Sequence, residues 1–242
     1  MEPSRRTLLG LAGLASATVA VGGLAGCRRN DGRMGSPEKQ GTSETACEKE
    51  NEVLPVEDLM REHGVLRRVL LVYDECIRRL DAGADMPLDA LTKSADVVSR
   101  FIEDYHEKLE EDFVFPRFQK AGKLVELTQL LARQHQAGRC ITKQVQAVTP
   151  AILRDPSARR AFAERLREFV RMYRAHAARE DTVLFPALHE IVSWHEYDAL
   201  GEEFERKETQ LFGEGGFQKM VAQVDAIERS LGIEDLAKLT PQ

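Results

Sequence analysis

Two stretches of the chain place a histidine and a glutamate four residues apart, His106-x-x-x-Glu110 and His176-x-x-x-Glu180. On an α-helix that step puts both side chains on one face, a turn apart. Imidazole nitrogens and carboxylate oxygens so placed are donors for a divalent metal ion, and spacing alone permits iron, manganese or zinc. The surroundings repeat as well. In Tyr105-His106-Glu107-Lys108-Leu109-Glu110-Glu111-Asp112-Phe113-Val114-Phe115-Pro116 and Ala175-His176-Ala177-Ala178-Arg179-Glu180-Asp181-Thr182-Val183-Leu184-Phe185-Pro186, histidine, glutamate, an acidic residue, phenylalanine and proline recur at an offset of 70. Two lone histidines repeat in a setting of their own: Arg61-Glu62-His63 with Arg67, against Arg133-Gln134-His135 with Arg139, at an offset of 72.

Four long amphipathic patterns must carry these residues. The first, about 56–81, places Leu59, His63, Leu66, Leu70, Tyr73, Ile77 and Leu80 at three- and four-residue steps, and Gly83 stops it. A second opens near Pro87 and runs to about Lys120, with Val98, Ile102, Tyr105, His106, Leu109 and Phe113 inward and Gly122 as terminator. The third, about 124–148, carries Leu124, Leu127, Leu131, His135, Thr142 and Val145. The fourth opens at the Asp155-Pro156-Ser157 cap and continues through Phe162, Leu166, Phe169, Tyr173, His176, Glu180 and Val183 to about Ser193. Short connections make neighbouring helices antiparallel, so the fold is all-α, an up-down-up-down four-helix bundle built as two copies of one hairpin. Two shorter amphipathic stretches, about 194–211 and 217–231, flank it at the C-terminus.

Each hairpin thus supplies one lone histidine and one His-x-x-x-Glu, and two hairpins bring four imidazoles and two carboxylates to one cavity. Facing helices of a bundle are where carboxylate-bridged dinuclear sites are built. A glutamate in such an apolar stripe costs several kcal/mol to desolvate, which a shared pair of cations offsets. His189 and His195 have no repeat partner and read as surface residues. Tyr105 and Tyr173 read as core packing first and as hydrogen-bond donors behind the histidines second. The arginines of the fourth helix, interspersed with Glu164 and Glu168, read as a solvated face.

A formal charge of −6 and a pI near 5.6 leave no basic excess to neutralise phosphates, which excludes nucleic-acid binding. Residues 1–26 read as an export signal to be set apart from the fold: Ser4-Arg5-Arg6-Thr7-Leu8-Leu9 resembles a twin-arginine signal. Leu24-Ala25-Gly26-Cys27 resembles a bacterial lipobox, which makes Cys27 the lipidated mature N-terminus; an uncleaved membrane anchor over 8–26 is the alternative. Residues 27–55 then form a polar, turn-rich tether. The domain order is signal (1–26), tether (27–55), bundle (56–193) and flanking helices (194–242), with the protein exported to the periplasmic face of a membrane or to the periplasm. Cys47, Cys76 and Cys140 lack the spacing of a disulfide framework or a zinc knuckle.

The set His63, His106-x-x-x-Glu110, His135 and His176-x-x-x-Glu180, with Phe-Pro after each glutamate, resembles the hemerythrin-like (HHE cation-binding) family across about 56–211. The resemblance implies two non-haem iron ions, bridged by Glu110, Glu180 and an oxo group, with His63, His106, His135 and His176 as terminal ligands. It departs from oxygen-carrying hemerythrins at one ligand. Their third helix carries two ligand histidines four residues apart, whereas Leu131 and Arg139 flank His135 here. Each iron is then left with five donors and one open position. The implied partner is a diatomic ligand, oxygen or nitric oxide, or a peroxide. A binding protein that reacts with these is the leading expectation, with a di-iron oxidoreductase and an iron store or donor as alternatives.

Overall fold

Apolar residues recurring at helical steps bury one stripe per helix, and the stripes close on a common interior. The computed structural model describes residues 53–241. The signal, Cys27, Cys47 and the tether up to residue 52 lie outside the described residues. Helix α1 is Pro55–Ala82; α2 is one continuous helix over residues 88–121; α3 is Val125–Gln146; α4 is a short Pro150–Arg154; α5 runs over residues 156–188; α6 is Trp194–Phe212 and α7 Gly216–Leu231. Among the described residues there is no strand, and no helix is long and apolar enough to cross a membrane.

The ends follow from local chemistry. Pro55 opens α1, where its missing N–H costs nothing, and Glu57 and Asp58 face the positive end of the helix. Gly83, at φ 63°, closes it, with the N–H groups of Gly83 and Ala84 donating to the carbonyls of Leu80 and Arg79. Gly122 ends α2 in the same way at φ 66°. The Asp155 carboxylate caps α5 by accepting from the N–H groups of Ser157 at 3.0 Å and Ala158 at 3.3 Å.

Ion pairs between α1 and α5 fix the antiparallel register. Arg67 meets Asp181, Asp74 meets Arg174, and Asp81 meets Arg167, each step seven residues forward on one helix and seven back on the other. Between α2 and α3, Asp96 accepts from Gln146 and Glu111 from His135. Leu66, Leu70 and Tyr73 of α1, Phe101 and Ile102 of α2, Val145 of α3, and Leu166 and Phe169 of α5 are buried together in the core. Helices α6 and α7 pack on the α1 and α2 side of the bundle.

Three details depart from the sequence pattern. Leu124, expected inward, precedes α3 in a left-handed conformation (φ 50°) and is exposed. The fourth helix ends at Leu188, short of Ser193, and α4 was not anticipated. Most consequential, the backbone widens to π-helical winding at Glu110–Val114 and again at Glu180–Leu184, with a longer π stretch at Val98–His106. Pro116 and Pro186 stand just past the two matched widenings. A proline has no N–H for the carbonyl four residues back and its ring crowds that carbonyl, so the preceding turn opens by one residue. Inward positions shift accordingly: Val114 and Leu184 are fully buried, while Phe113 and Val183 are only half-buried.

Asp155→Ala removes the cap of the helix that carries His176 and Glu180. It is expected to lower unfolding stability by about 0.5–2 kcal/mol, read by chemical denaturation of the metal-free protein; an unchanged midpoint would show the cap contributes nothing.

Candidate metal centre

The four helices bring the six expected residues to one place. His63, His106, Glu110, His135, His176 and Glu180 are each at most 3 % exposed, in a chain segment where such groups are seldom buried without partners. All four Nε2 atoms turn toward the two glutamates. Glu110 spans two histidines, with Oε1 3.6 Å from His106 Nε2 and Oε2 3.4 Å from His135 Nε2. Glu180 does the same with one oxygen, Oε2 lying 3.3 Å from His63 Nε2 and 3.0 Å from His176 Nε2. The Nε2 atoms of His135 and His176 face each other at 3.2 Å.

This arrangement fits metal ions better than it fits a self-sufficient network. Both oxygens of Glu110, both of Glu180, and Nε2 of His63 and of His106 are buried without a hydrogen-bond partner. Native interiors rarely leave so many polar atoms unpaired at one point. Nitrogen and oxygen ligands sit about 2.0–2.2 Å from a bound metal, which places neighbouring ligand atoms roughly 3 Å apart, as these are. Two overlapping donor groups can be drawn: His63, His106 and Glu110, and Glu110, His135, His176 and Glu180.

Behind each imidazole stands an acceptor on Nδ1. His63 donates to Asp181 at 2.7 Å, His106 to Glu62 at 2.8 Å, His135 to Glu111 at 3.0 Å and His176 to the Gln134 amide oxygen at 2.9 Å. A proton fixed on Nδ1 leaves the Nε2 lone pair aimed at the centre. The acceptors cross between helices. Glu62 and Gln134 each precede one of the four histidines but serve another, and Glu111 and Asp181 each follow a glutamate but serve a histidine on a neighbouring helix. Arg67 braces Asp181, and Arg139 braces Glu111 at 2.8 Å. Phe115 stacks on His135 and Phe185 on His63, at ring separations of 5.5 and 5.6 Å. The duplication therefore extends to residues whose roles spacing did not suggest, although Glu62, Gln134, Arg67 and Arg139 were visible as repeat partners.

Tyr105 and Tyr173 part company. Tyr105 packs against Phe101 and Phe212 in the core. Tyr173 sets its ring edge against His176 and donates its hydroxyl to Glu107 at 2.6 Å. Glu107 is buried too, and its other oxygen lies 2.8 Å from Arg139. Gly138 makes room for this, since a Cβ there would stand 1.9 Å from the tyrosine hydroxyl. His189 and His195 are exposed. Cys76 is a buried free thiol, pushed up to about 12 by burial, and Cys140 an exposed one.

Electrostatics divide the metal-free site. Burial lowers the pKa of His63, but Asp181 and Glu180 outweigh it and raise it to about 9. Burial lowers His106, and His135 to about 4, against the pull of Glu62 and Glu111. Burial raises Glu110 well above the carboxylate range, reinforced by Glu180 and Glu107. Glu180 stays well below that range despite its burial, because His176 and His63 face it. Glu107 is pushed up to about 8 by burial, which Tyr173 and Arg139 only partly counter.

Residues 54–188 match the family described as the hemerythrin HHE cation binding domain. Over its sequence the chain is also 45% identical to the uncharacterized protein Mb2018 of Mycobacterium bovis and to the uncharacterized protein Rv1995 of Mycobacterium tuberculosis, each alignment covering 98% of this chain and 91% of the relative. No solved structure matches significantly. The chain belongs to the hemerythrin HHE family, and its buried histidines and glutamates form clusters able to hold a metal ion.

Two outcomes test this geometry. Gly138→Ala forces Tyr173 out of its seat and is expected to cost about 1–3 kcal/mol of stability, as overpacking does; Gly64→Ala, where nothing lies within 4 Å of the new Cβ, is the control and should be neutral or stabilising by up to about 1 kcal/mol. Metal binding must strip the protons from His63 and Glu110, whose values are raised, so affinity should climb as pH rises from 6 toward 9. Each proton displaced contributes up to about tenfold per pH unit. A titration in chelator-buffered metal that showed no pH dependence would contradict the protonation pattern.

Proposed function

We propose that this chain is a di-iron protein of the hemerythrin type, exported and tethered by a lipid on Cys27, that binds or reacts with oxygen, nitric oxide or peroxide. The observation that carries it is the pair of glutamates, each facing histidines of two helices and lacking hydrogen-bond partners of its own. In this reading His63 and His106 would hold one ion and His135 and His176 the other, with Glu110 and Glu180 serving both. Bound iron supplies one-electron redox chemistry and open positions for a small ligand.

The chain's own residues supply the rest. Asp181, Glu62, Glu111 and Gln134 fix the imidazole tautomers, and the rings of Phe115 and Phe185 cover two ligand histidines and keep water from them. Leu131 and Arg139, one turn to either side of His135, offer no further ligand: Leu131 is an alkyl side chain in the core, and Arg139 is committed to Glu107 and Glu111. The same donors would accept manganese or zinc; the family resemblance is what favours iron.

A second reading, an oxidoreductase, draws on the Tyr173–Glu107–Arg139 chain, a buried proton-bearing path beside His176. Steady turnover with a supplied reductant, lost in Tyr173→Phe at unchanged metal content, would favour it. The export reading rests on the Arg5-Arg6 and Leu24-Ala25-Gly26-Cys27 motifs. Cys27→Ala is expected to release the domain from the membrane fraction, and continued tight retention would favour an uncleaved helix.

Protein purified gently through its export route should contain about two irons per chain, the complement of a dinuclear bundle site, with ferric charge-transfer absorption. Stoichiometric zinc, or no metal, would refute the di-iron reading. With a coordination position open on each ion, the reduced protein should be oxidised by oxygen rather than carry it. Anaerobic reduction, exposure to oxygen and evacuation should fail to regenerate the reduced spectrum; repeated full recovery would show the ligand count to be wrong.

A further inference from the structure

Among the groups that meet the Nδ1 atoms of the four histidines, the duplicated halves differ in charge at one place. Asp181 backs His63 and is braced by Arg67; Glu111, at the matching position of the other half, backs His135 and is braced by Arg139. The remaining pair does not match. Glu62 presents a carboxylate to His106 Nδ1 at 2.8 Å, whereas Gln134, 72 residues on, presents only an amide oxygen to His176 Nδ1 at 2.9 Å. Glu62 is fully buried, so its charge is poorly screened.

We propose that this carboxylate-for-amide difference makes the two metal positions unequal: the His63/His106 position takes its ion first and holds it tightly, and the His135/His176 position fills last and is the exchangeable one. The inference rests on the two-metal reading above. An imidazole whose Nδ1–H is held by a carboxylate is the stronger electron donor at Nε2, and it gains most when a cation draws on it; an amide dipole supplies less of both effects. The charge around each position points the same way. Asp181 and Glu62 stand behind the first pair of histidines, while only Glu111 does so behind the second. Glu107 also brings a carboxylate oxygen within 4.8 Å of a His135 ring nitrogen, but it offsets little of this difference, because one of its oxygens accepts from Tyr173 and the other pairs with Arg139. Removing one such outer partner weakens metal binding by about 10–100-fold, which sets the size of the expected gap.

The test is an anaerobic titration of the metal-free full chain with Co(II), followed by absorption and by competition with a chelator of known affinity. Wild type should bind in two steps at least about tenfold apart. Gln134→Glu should tighten the second step and close most of the gap; Glu62→Gln should loosen the first and close it from the other side. Both changes keep side-chain shape, and a thermal unfolding midpoint for each variant without metal controls for folding. Two equal steps in wild type, or a gap that neither substitution moves, would overturn the proposal. Saturation at one ion or none is a different result, because it would remove the two-metal reading and this inference with it.

Discussion

Everything in this molecule answers to the cost of placing two carboxylates and four imidazoles inside an apolar bundle. Moving a carboxylate from water into a low-dielectric interior costs several kcal/mol even after relaxation, and a second one nearby adds repulsion. The metal-free site manages that cost with protons: Glu110 is driven toward its neutral form and His63 toward its charged one, so Glu180 alone keeps a carboxylate charge that is matched. Two cations would do the same work with every ligand deprotonated. The duplicated hairpin is the simplest scaffold that delivers this set, since each copy needs to place only one histidine on one helix and one His-x-x-x-Glu on the next.

Precision in such a site comes from behind the ligands. Each imidazole is held by a partner from a neighbouring helix, so the tautomers are correct only when the helices are in register, and the seven-residue ladder of Arg67, Asp74 and Asp81 with their α5 partners sets that register. Exposed ion pairs contribute little stability one at a time, so their value here lies in alignment. The π-helical turns after Glu110 and Glu180 belong to the same requirement. They rotate the following turn so that Phe115 and Phe185 lie flat on His135 and His63.

Much of this was legible in the sequence, because helix periodicity and metal-ligand spacing are both short-range. The helix limits at Gly83, Gly122 and Asp155 follow from turn and cap chemistry that acts within a few residues, and the His and Glu positions from repeat offsets alone. What was not legible depends on the third dimension. No spacing rule says that Glu62, beside His63, will serve His106. Pro116 and Pro186 gave a signal for the widened turns, yet a proline in a helical pattern is equally read as a kink, so the inward residue was placed at Phe113 and Val183 rather than Val114 and Leu184. The Tyr173–Glu107–Gly138 arrangement had no repeat signal at all: the residue matching Glu107 is Ala177 and the one matching Gly138 is Leu66.

Glu110, the buried carboxylate that no cation matches, is a liability for the fold until metal arrives. The most direct measurement of that liability is unfolding stability, with and without Fe(II) under anaerobic conditions, of the wild-type chain and of a Glu110→Met variant. Replacing a buried charge group by an apolar one of similar volume is neutral or stabilising when that group is uncompensated. Without metal the variant should be at least as stable as wild type, and Fe(II) should raise the midpoint of wild type far more than that of the variant. A variant that is much less stable without metal, or that gains as much from Fe(II) as wild type does, would contradict this.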